Sequence, residues 1–408
     1  MPGASGAAAQ GRCEVDVFRK IAAIAALVLT AAPQQRATAA PEPLDSILEP
    51  CRAKYELPAI AAAVVVRGET VAAGAVGTRR VGTTHTVTLD DRFHIGSDTK
   101  AMTALLAGMM VEEGRLRWAS TPAEVFPELA PAMDARVRTV TLEQLLSHTS
   151  GFPADNDDFG RLLEESVRQD GNLDDLRLWL ADRWCRLPLA NDPGTTFAYS
   201  NMGYTLVGAM IERAAGRSWD ELISERVFDP LNLGTAGLGC QSSLGRVDAA
   251  VGHSTRDGRV FANMAGPNGD NPPIIGPAGI AHMSVLDFAR WAGWNAGAGR
   301  RGPALVGPDT LRKLHTPVIS MPPKPDAPPG TPPGGWYALG WGRLEVAWAP
   351  RPMLYHGGSN NMNLAHIWVD TEDDIAFVIM SNIAGERADA AFRELAPLLY
   401  DRAKKKGR

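Results

Sequence analysis

The sequence predicts an α+β protein in which an antiparallel sheet is flanked by helices and an all-helical subdomain is inserted. Three observations predict it. Apolar, β-branched segments lie near both ends of the 408-residue chain, the long middle is helical in pattern, and strands do not alternate with helices as a parallel βαβ sheet requires. Terminal strands meeting in one sheet place residues 40–114 and 278–408 in an α/β subdomain and residues 115–277 in a helical one.

Taken in chain order, Leu44–Tyr55 reads as a short helix. Ile60–Arg67 and Thr70–Val76 read as strands joined at the turn Gly68-Glu69. Thr99–Glu113 has no polar face, which predicts a buried helix, and Gly114 ends it. From Arg115 to about Pro277 the chain reads as helix and loop, with periodic segments at Leu142–Ser147, Gly203–Ala215 and Trp219–Val227. Ser284–Asn295 is a further helix, and Met321–Gly335, dense in Pro and Gly, a stiff loop. Strands follow at Tyr337–Leu344, Leu364–Val369 and Ile375–Met380, then a last helix at Arg387–Ala403.

Composition removes several classes of function. Hydrophobic residues at 45% and charged residues at 21% exclude a disordered, collagenous or coiled-coil chain. No apolar run reaches the ~20 residues needed to span a bilayer. Arg19 and Lys20 precede the apolar run Ile21–Ala32, and Ala37-Thr38-Ala39 follows, so residues 1–39 read as an export signal. The mature protein is then expected in the periplasm or outside the cell, with no integral membrane association. Removing residues 1–39 leaves Lys+Arg 37 against Asp+Glu 44, and this acidic balance argues against nucleic acid as a partner. Cys51, Cys185 and Cys240 remain, enough for one bridge at most, with buried thiols expected. No CxxC or HExxH occurs, and the eight His are scattered, so no metal is expected. No cofactor is expected either. The GxGxxG from Gly297 to Gly302 follows a helix rather than a strand, and no Gly-Lys exists to build a P-loop.

Three short constellations carry chemistry. In Ser97-Asp98-Thr99-Lys100 a serine at a helix start stands one turn from a lysine on a buried helix. Burial favours the neutral amine, and a neutral amine can take the proton of a serine hydroxyl. In Tyr199-Ser200-Asn201 a tyrosine can relay a proton, and an amide can hold a carbonyl or orient the lysine. In His356-Gly357-Gly358-Ser359 the glycines permit close approach, and a backbone N–H can face an oxyanion. Taken singly, each also fits an N-cap serine, a packed tyrosine or a glycine turn.

Together, in this order, they resemble the serine β-lactamase and penicillin-binding-protein superfamily, closest to its class C β-lactamase-like branch of esterases and D-amino-acid peptidases. The resemblance runs from about Ile60 to Met380 and includes Phe93–Lys100, Thr141–Gly151, Pro193–Tyr204, Phe228–Leu231, Pro277–Gly279 and Leu339–Gly342. It implies a β-lactamase/transpeptidase-like fold. It also implies that Ser97 is the nucleophile, that Lys100 and Tyr199 share the base and acid work, and that Asn201 positions substrate. The N–H groups of Ser97 and Ser359 would form the oxyanion hole, with His356 and Gly358 in the third motif. Many lactamases carry Lys-Thr-Gly there. A histidine is a weaker anchor for a substrate carboxylate, so neutral esters or D-peptides are expected over penicillins. His356 is expected at the rim of the cleft, and His148 to tie a loop by hydrogen bonds. The expected partner is a small acyl or peptide substrate. A true class C-like β-lactamase, a D,D-carboxypeptidase and a slowly turning penicillin sensor remain alternatives. The oligomeric state is left open.

Overall fold

The computed structural model describes residues 40–264, 269–323 and 334–407. The expected export signal and the middle of the 321–335 loop lie outside these. Residues Pro41–Arg408 form one compact unit.

Its centre is a nine-stranded sheet. In chain order the strands are β1 (Glu42–Pro43), β2 (Ala59–Val66), β3 (Glu69–Gly77), β4 (Ile319–Met321), β5 (Gly335–Tyr337), β6 (Gly342–Leu344), β7 (Met353–Ser359), β8 (Leu364–Asp370) and β9 (Ile375–Ser381). They lie side by side as β1-β3-β2-β9-β8-β7-β6-β5-β4. Every pairing is antiparallel except the two-residue contact of β1 with β3. The two chain ends therefore meet where β2 pairs with β9, Ile60 opposite Ser381 and Val66 opposite Ile375.

Alternation decides the layers. On β2, Ala59, Ala61, Ala63 and Val65 face one apolar core, while Ile60, Ala62, Val64 and Val66 face a second. On β9, Phe377 and Ile379 join the second core and Val378 and Met380 the first. A strand buried on both faces reads as an unbroken apolar run. The second core is closed by α1 (Asp45–Lys54) and by α5 (Glu386–Gly407), through Leu48, Phe392, Leu395 and Leu399. The first core holds α2 (Thr99–Glu112), α3 (Asn201–Ala215) and α4 (Val285–Ala296). Residues Thr99 to Met110 of α2 are all buried, which explains the missing polar face. Each large apolar side chain taken fully from water contributes roughly 1.5–3 kcal/mol.

Several expectations are corrected. Tyr337–Leu344 is not one strand but the pair β5 and β6, broken at a turn where Ala338 N–H donates to Trp341 O. His356–Ser359, read as a motif ahead of the strand Leu364–Val369, is itself the end of a strand, β7. The 115–277 region is not helix and loop alone: Gly252–Arg256 and Arg259–Asn263 form a hairpin about Asp257-Gly258. Asp-Gly at a two-residue turn is a strong hairpin signal, read here as loop. Helices at Asp157–Ser166, Leu173–Trp184 and Pro308–His315 also form where the pattern named no element, as does a three-stranded sheet of Arg92–His94, Ala281–Ser284 and Gly237–Leu238.

One buried ion cluster connects this region to the site. Arg177, with no exposed surface, donates to Glu212 on α3, to Asp220, and to the carbonyls of Pro273 and Ile274. It thereby fixes the segment that leads into Pro277-Ala278-Gly279.

Candidate active site

Ser97 sits in a single 3-10 turn, Gly96–Asp98, that runs directly into α2. One turn further on, Lys100 Nζ lies 3.0 Å from Ser97 Oγ, 2.7 Å from Asn201 Oδ1 and 2.6 Å from the Ala278 carbonyl. The amine is fully buried, and burial lowers its pKa to about 7 against the opposing pull of Asp155 and Asp98. A neutral amine has two N–H donors and one lone pair. With Asn201 and Ala278 accepting the two protons, the lone pair is left for the Ser97 hydroxyl.

Tyr199 closes the other side. Its side chain interacts with that of Ser97, and its ring lies 4.8 Å from Lys100 Nζ. Burial pushes this phenol well above its ordinary range, so it holds its proton at neutral pH. The tyrosine is held by His148, a left-handed residue with φ +57°. His148 O accepts from Ala198 N–H at 2.8 Å, and its Nδ1 accepts from Ser200 N–H at 3.1 Å. Its ring packs 4.2 Å from that of Tyr199. His148 thus ties a loop by hydrogen bonds, as the sequence led us to expect, and the loop it holds is the one carrying Tyr199.

Asn201 begins α3, after the N-cap Ser200. Its oxygen takes Lys100 and its amide donates to Asp155 Oδ2 at 2.6 Å. Asp155 stands exposed on the loop that follows the Thr141–Gly151 segment.

The third motif enters as β7 passes against the nucleophile turn. A Cβ on Gly358 would lie 1.8 Å from Ile95 O and 2.8 Å from Ser97 N. One on Gly96 would lie 2.3 Å from Ser359 N. Two glycines therefore bring the N–H of Ser97 and the N–H of Ser359 together, and the room they make is filled by protein backbone. The Ser359 hydroxyl caps its own turn, donating to Asn363 O at 2.7 Å.

His356 departs from expectation. It is not at the rim but 4% exposed, in the wall behind the nucleophile turn. Tyr337 OH lies 3.1 Å from Nε2, while Nδ1 lies 3.0 Å from Gly357 O and 3.5 Å from Asp98 Oδ1. Burial, then the charge of Lys100, pushes its pKa down to about 3, so the ring is neutral. Along β7, residues 354, 356 and 358 turn to one face, and Gly358 already faces the turn, so His356 must face it too. The buried carboxyl of Asp98 is pushed well above its usual range, foremost by desolvation.

The beta-lactamase family model matches residues 44–401. The chain belongs to the beta-lactamase family. Penicillin-binding protein 4 of Amycolatopsis lactamdurans is 28% identical over 349 residues, covering 84% of this chain and 86% of that protein. The unguisins hydrolase ungD of Aspergillus violaceofuscus is 28% identical over 247 residues, covering 58% of this chain and 42% of that protein. Among solved structures, the octameric penicillin-binding protein homologue from Pyrococcus abyssi superposes with a TM-score of 0.68 at 24% identity, over 88% of this chain and 76% of that one. The D-stereospecific amidohydrolase from Streptomyces sp. does so with a TM-score of 0.65 at 22% identity, over 86% and 97%. Both structures share the fold, and the β-lactamase/transpeptidase-like α+β architecture expected from the sequence is the one observed.

Within that family frame, sequence reasoning missed four participants: the Ala278 carbonyl, Asp155, Asp98 and Tyr337. A carbonyl has no sequence signal beyond the Pro277-Ala278-Gly279 match. Asp155 could have been found as an acidic residue shortly after Ser150-Gly151. Cys51 and Cys185 are buried thiols whose pKa values burial raises to about 11 and about 12, which leaves them poor nucleophiles.

Proposed function

We propose that this chain is an exported serine hydrolase that passes an acyl group through Ser97, with neutral or cationic esters, amides or D-peptides preferred to penicillins. The observation that carries the reading is Lys100 Nζ at 3.0 Å from Ser97 Oγ with its pKa brought to about 7. Lys100 takes the Ser97 proton as Oγ bonds to the acyl carbon. The carbonyl oxygen becomes an oxyanion facing the N–H groups of Ser97 and Ser359, a contact worth roughly 3 kcal/mol per donor in such sites. Tyr199, neutral beside Ser97, gives its proton to the leaving group as the bond from the acyl carbon to that group breaks and takes one back from the protonated Lys100; water then hydrolyses the acyl-serine and restores the Ser97 hydroxyl. Because the phenol stays protonated, the base is Lys100 and the relay Tyr199, a sharper division than the shared role expected.

The substrate preference is supported by the charges around the nucleophile. His356 is neutral and buried and offers no cation to a carboxylate. Asp155 sits on the Asn201 amide and adds negative charge on the solvent side. Export is supported by the apolar run Ile21–Ala32 between Lys20 and Ala37-Thr38-Ala39.

The test compares specificity constants for short-chain nitrophenyl esters, D-amino-acid amides and nitrocefin, in wild type and in Asp155→Asn. The expected wild-type order puts nitrocefin last. Asp155→Asn should narrow the gap by a few-fold, the effect of one partly solvated charge of roughly 1 kcal/mol or less. A wild-type preference for nitrocefin would make the protein a true β-lactamase.

A further inference from the structure

The two N–H groups of Ser97 and Ser359 are useful to an oxyanion only at a fixed separation. On one side that separation is set by Gly96 packing against Gly358. On the other a buried polar chain spans the same gap. Gly96 N–H donates to His94 Nδ1 at 3.0 Å, and His94 Nε2 lies 2.8 Å from Asp270 Oδ1. The same oxygen accepts from Asn360 Nδ2 at 3.1 Å and from Asn271 N–H at 2.7 Å. Gly96 directly precedes Ser97, and Asn360 directly follows Ser359.

The chain is built rather than incidental. His94 has no exposed surface, the Asp270 side chain is 7% exposed, and Asn360 is 3% exposed. Asn360 Oδ1 in turn accepts from Met362 N–H and from Asn363 Nδ2, which holds the turn after Ser359. Asn271 Nδ2 donates to Gly279 O at 2.7 Å, and Gly279 packs on the Gly96–Ser97 peptide. A buried carboxylate survives only where several donors converge on it. Here Asn360 Nδ2 donates from the turn after Ser359, His94 Nε2 lies alongside from the strand ahead of Gly96, and Asn271 N–H donates from the carboxylate's own neighbour.

We propose that His94, Asp270 and Asn360 are positioning residues that fix the distance between the two oxyanion donors. They act through the backbone on either side of the site and take no proton from the reaction. The proposal rests on the acyl-serine reading above.

The experiment uses the purified mature protein and the best nitrophenyl ester. Asp270→Ala removes the shared acceptor. His94→Phe keeps the ring and removes both nitrogens. Asp270→Asn leaves an oxygen where all three donors meet. In folded protein, the first two should each lower kcat by roughly tenfold or more with KM within about twofold, as expected when a supporting contact around a preorganised site is lost. The double variant should be no worse than the worse single, and Asp270→Asn should recover to within about threefold of wild type. The pH midpoint near 7 should not move in any of them. Unchanged kcat in Asp270→Ala, a loss carried by KM, or Asp270→Asn as impaired as Asp270→Ala would overturn the proposal. If Asp270→Ala does not fold, Asn360→Ala cuts the outer link, and an unchanged kcat there overturns it equally. Activity surviving in Ser97→Ala would sink the acyl-serine reading itself; an inert Ser97→Ala beside a normal Asp270→Ala sinks only the positioning role.

Discussion

A lysine that titrates near neutrality gives this site a pH signature. Lys100 is the group pulled to about 7, whereas His356 is pushed to about 3 and His148 well below its ordinary value, both foremost by burial. The base form of Lys100 grows as pH rises, so kcat/KM should climb through about pH 7 and level off above it. Lys100→Arg, a fixed cation, should lower kcat by roughly 10²–10⁴-fold and abolish that transition. A stopped-flow or steady-state pH profile checks both, and a profile flat from pH 6 to 9 contradicts the assignment. Stability carries the same sign. Between about 7 and the ordinary lysine value of 10.5 the unfolded chain binds more protons than the folded one, so this residue's penalty on folding shrinks as pH rises through that window. At this scale the sequence was most legible. Ser97, Lys100, Tyr199 and Asn201 were named from short motifs together with the family resemblance those motifs carry, and the structure brings all four together. His356 was placed wrongly because a motif fixes a residue's register on a strand, while its exposure depends on the packing of β7 against a turn some 260 residues earlier.

The elements explain why that packing is so close. Strand β7 touches the nucleophile turn through Gly358, and any Cβ there meets Ile95 O. Gly358→Ala should therefore push the strand off the turn, cost roughly 1–3 kcal/mol of stability, and lower kcat more than KM. Denaturant melts and steady-state kinetics on the same preparation check the pair, and a variant with wild-type kcat would show that the contact is not needed for the chemistry. The outer helix α5 provides the contrast. Leu395 is fully buried against the far face of the sheet, so Leu395→Ala should cost roughly 2–5 kcal/mol while leaving the kcat of the folded protein unchanged. Long, mostly apolar elements such as α2, β2 and β9 were legible because burial on all sides leaves few polar residues to interrupt them. Strand β7 was not, since two glycines in a short segment read equally well as a turn, and only its pairing with both β6 and β8 makes it a strand.

At the scale of the whole molecule, the site is assembled from segments that the chain keeps far apart. The nucleophile turn, the start of α3, the Ala278 carbonyl and β7 converge because β2 and β9 pair at the centre of the sheet and carry the two ends of the chain together. Strands at both ends and helices between them predicted that closure, and antiparallel β2–β9 pairing is its realisation. Which loop lies on the solvent side of the site was not predictable in the same way. Asp155 reaches Asn201 across 46 positions of chain, through a loop whose path no periodicity records. The proposed chemistry stands on one covalent bond. Intact mass spectrometry after treatment with a fluorophosphonate probe should show a single adduct on the wild-type protein and none on Ser97→Ala of equal thermal stability. An adduct that persists in Ser97→Ala, and maps by peptide sequencing to Ser147 or Ser359, would contradict it.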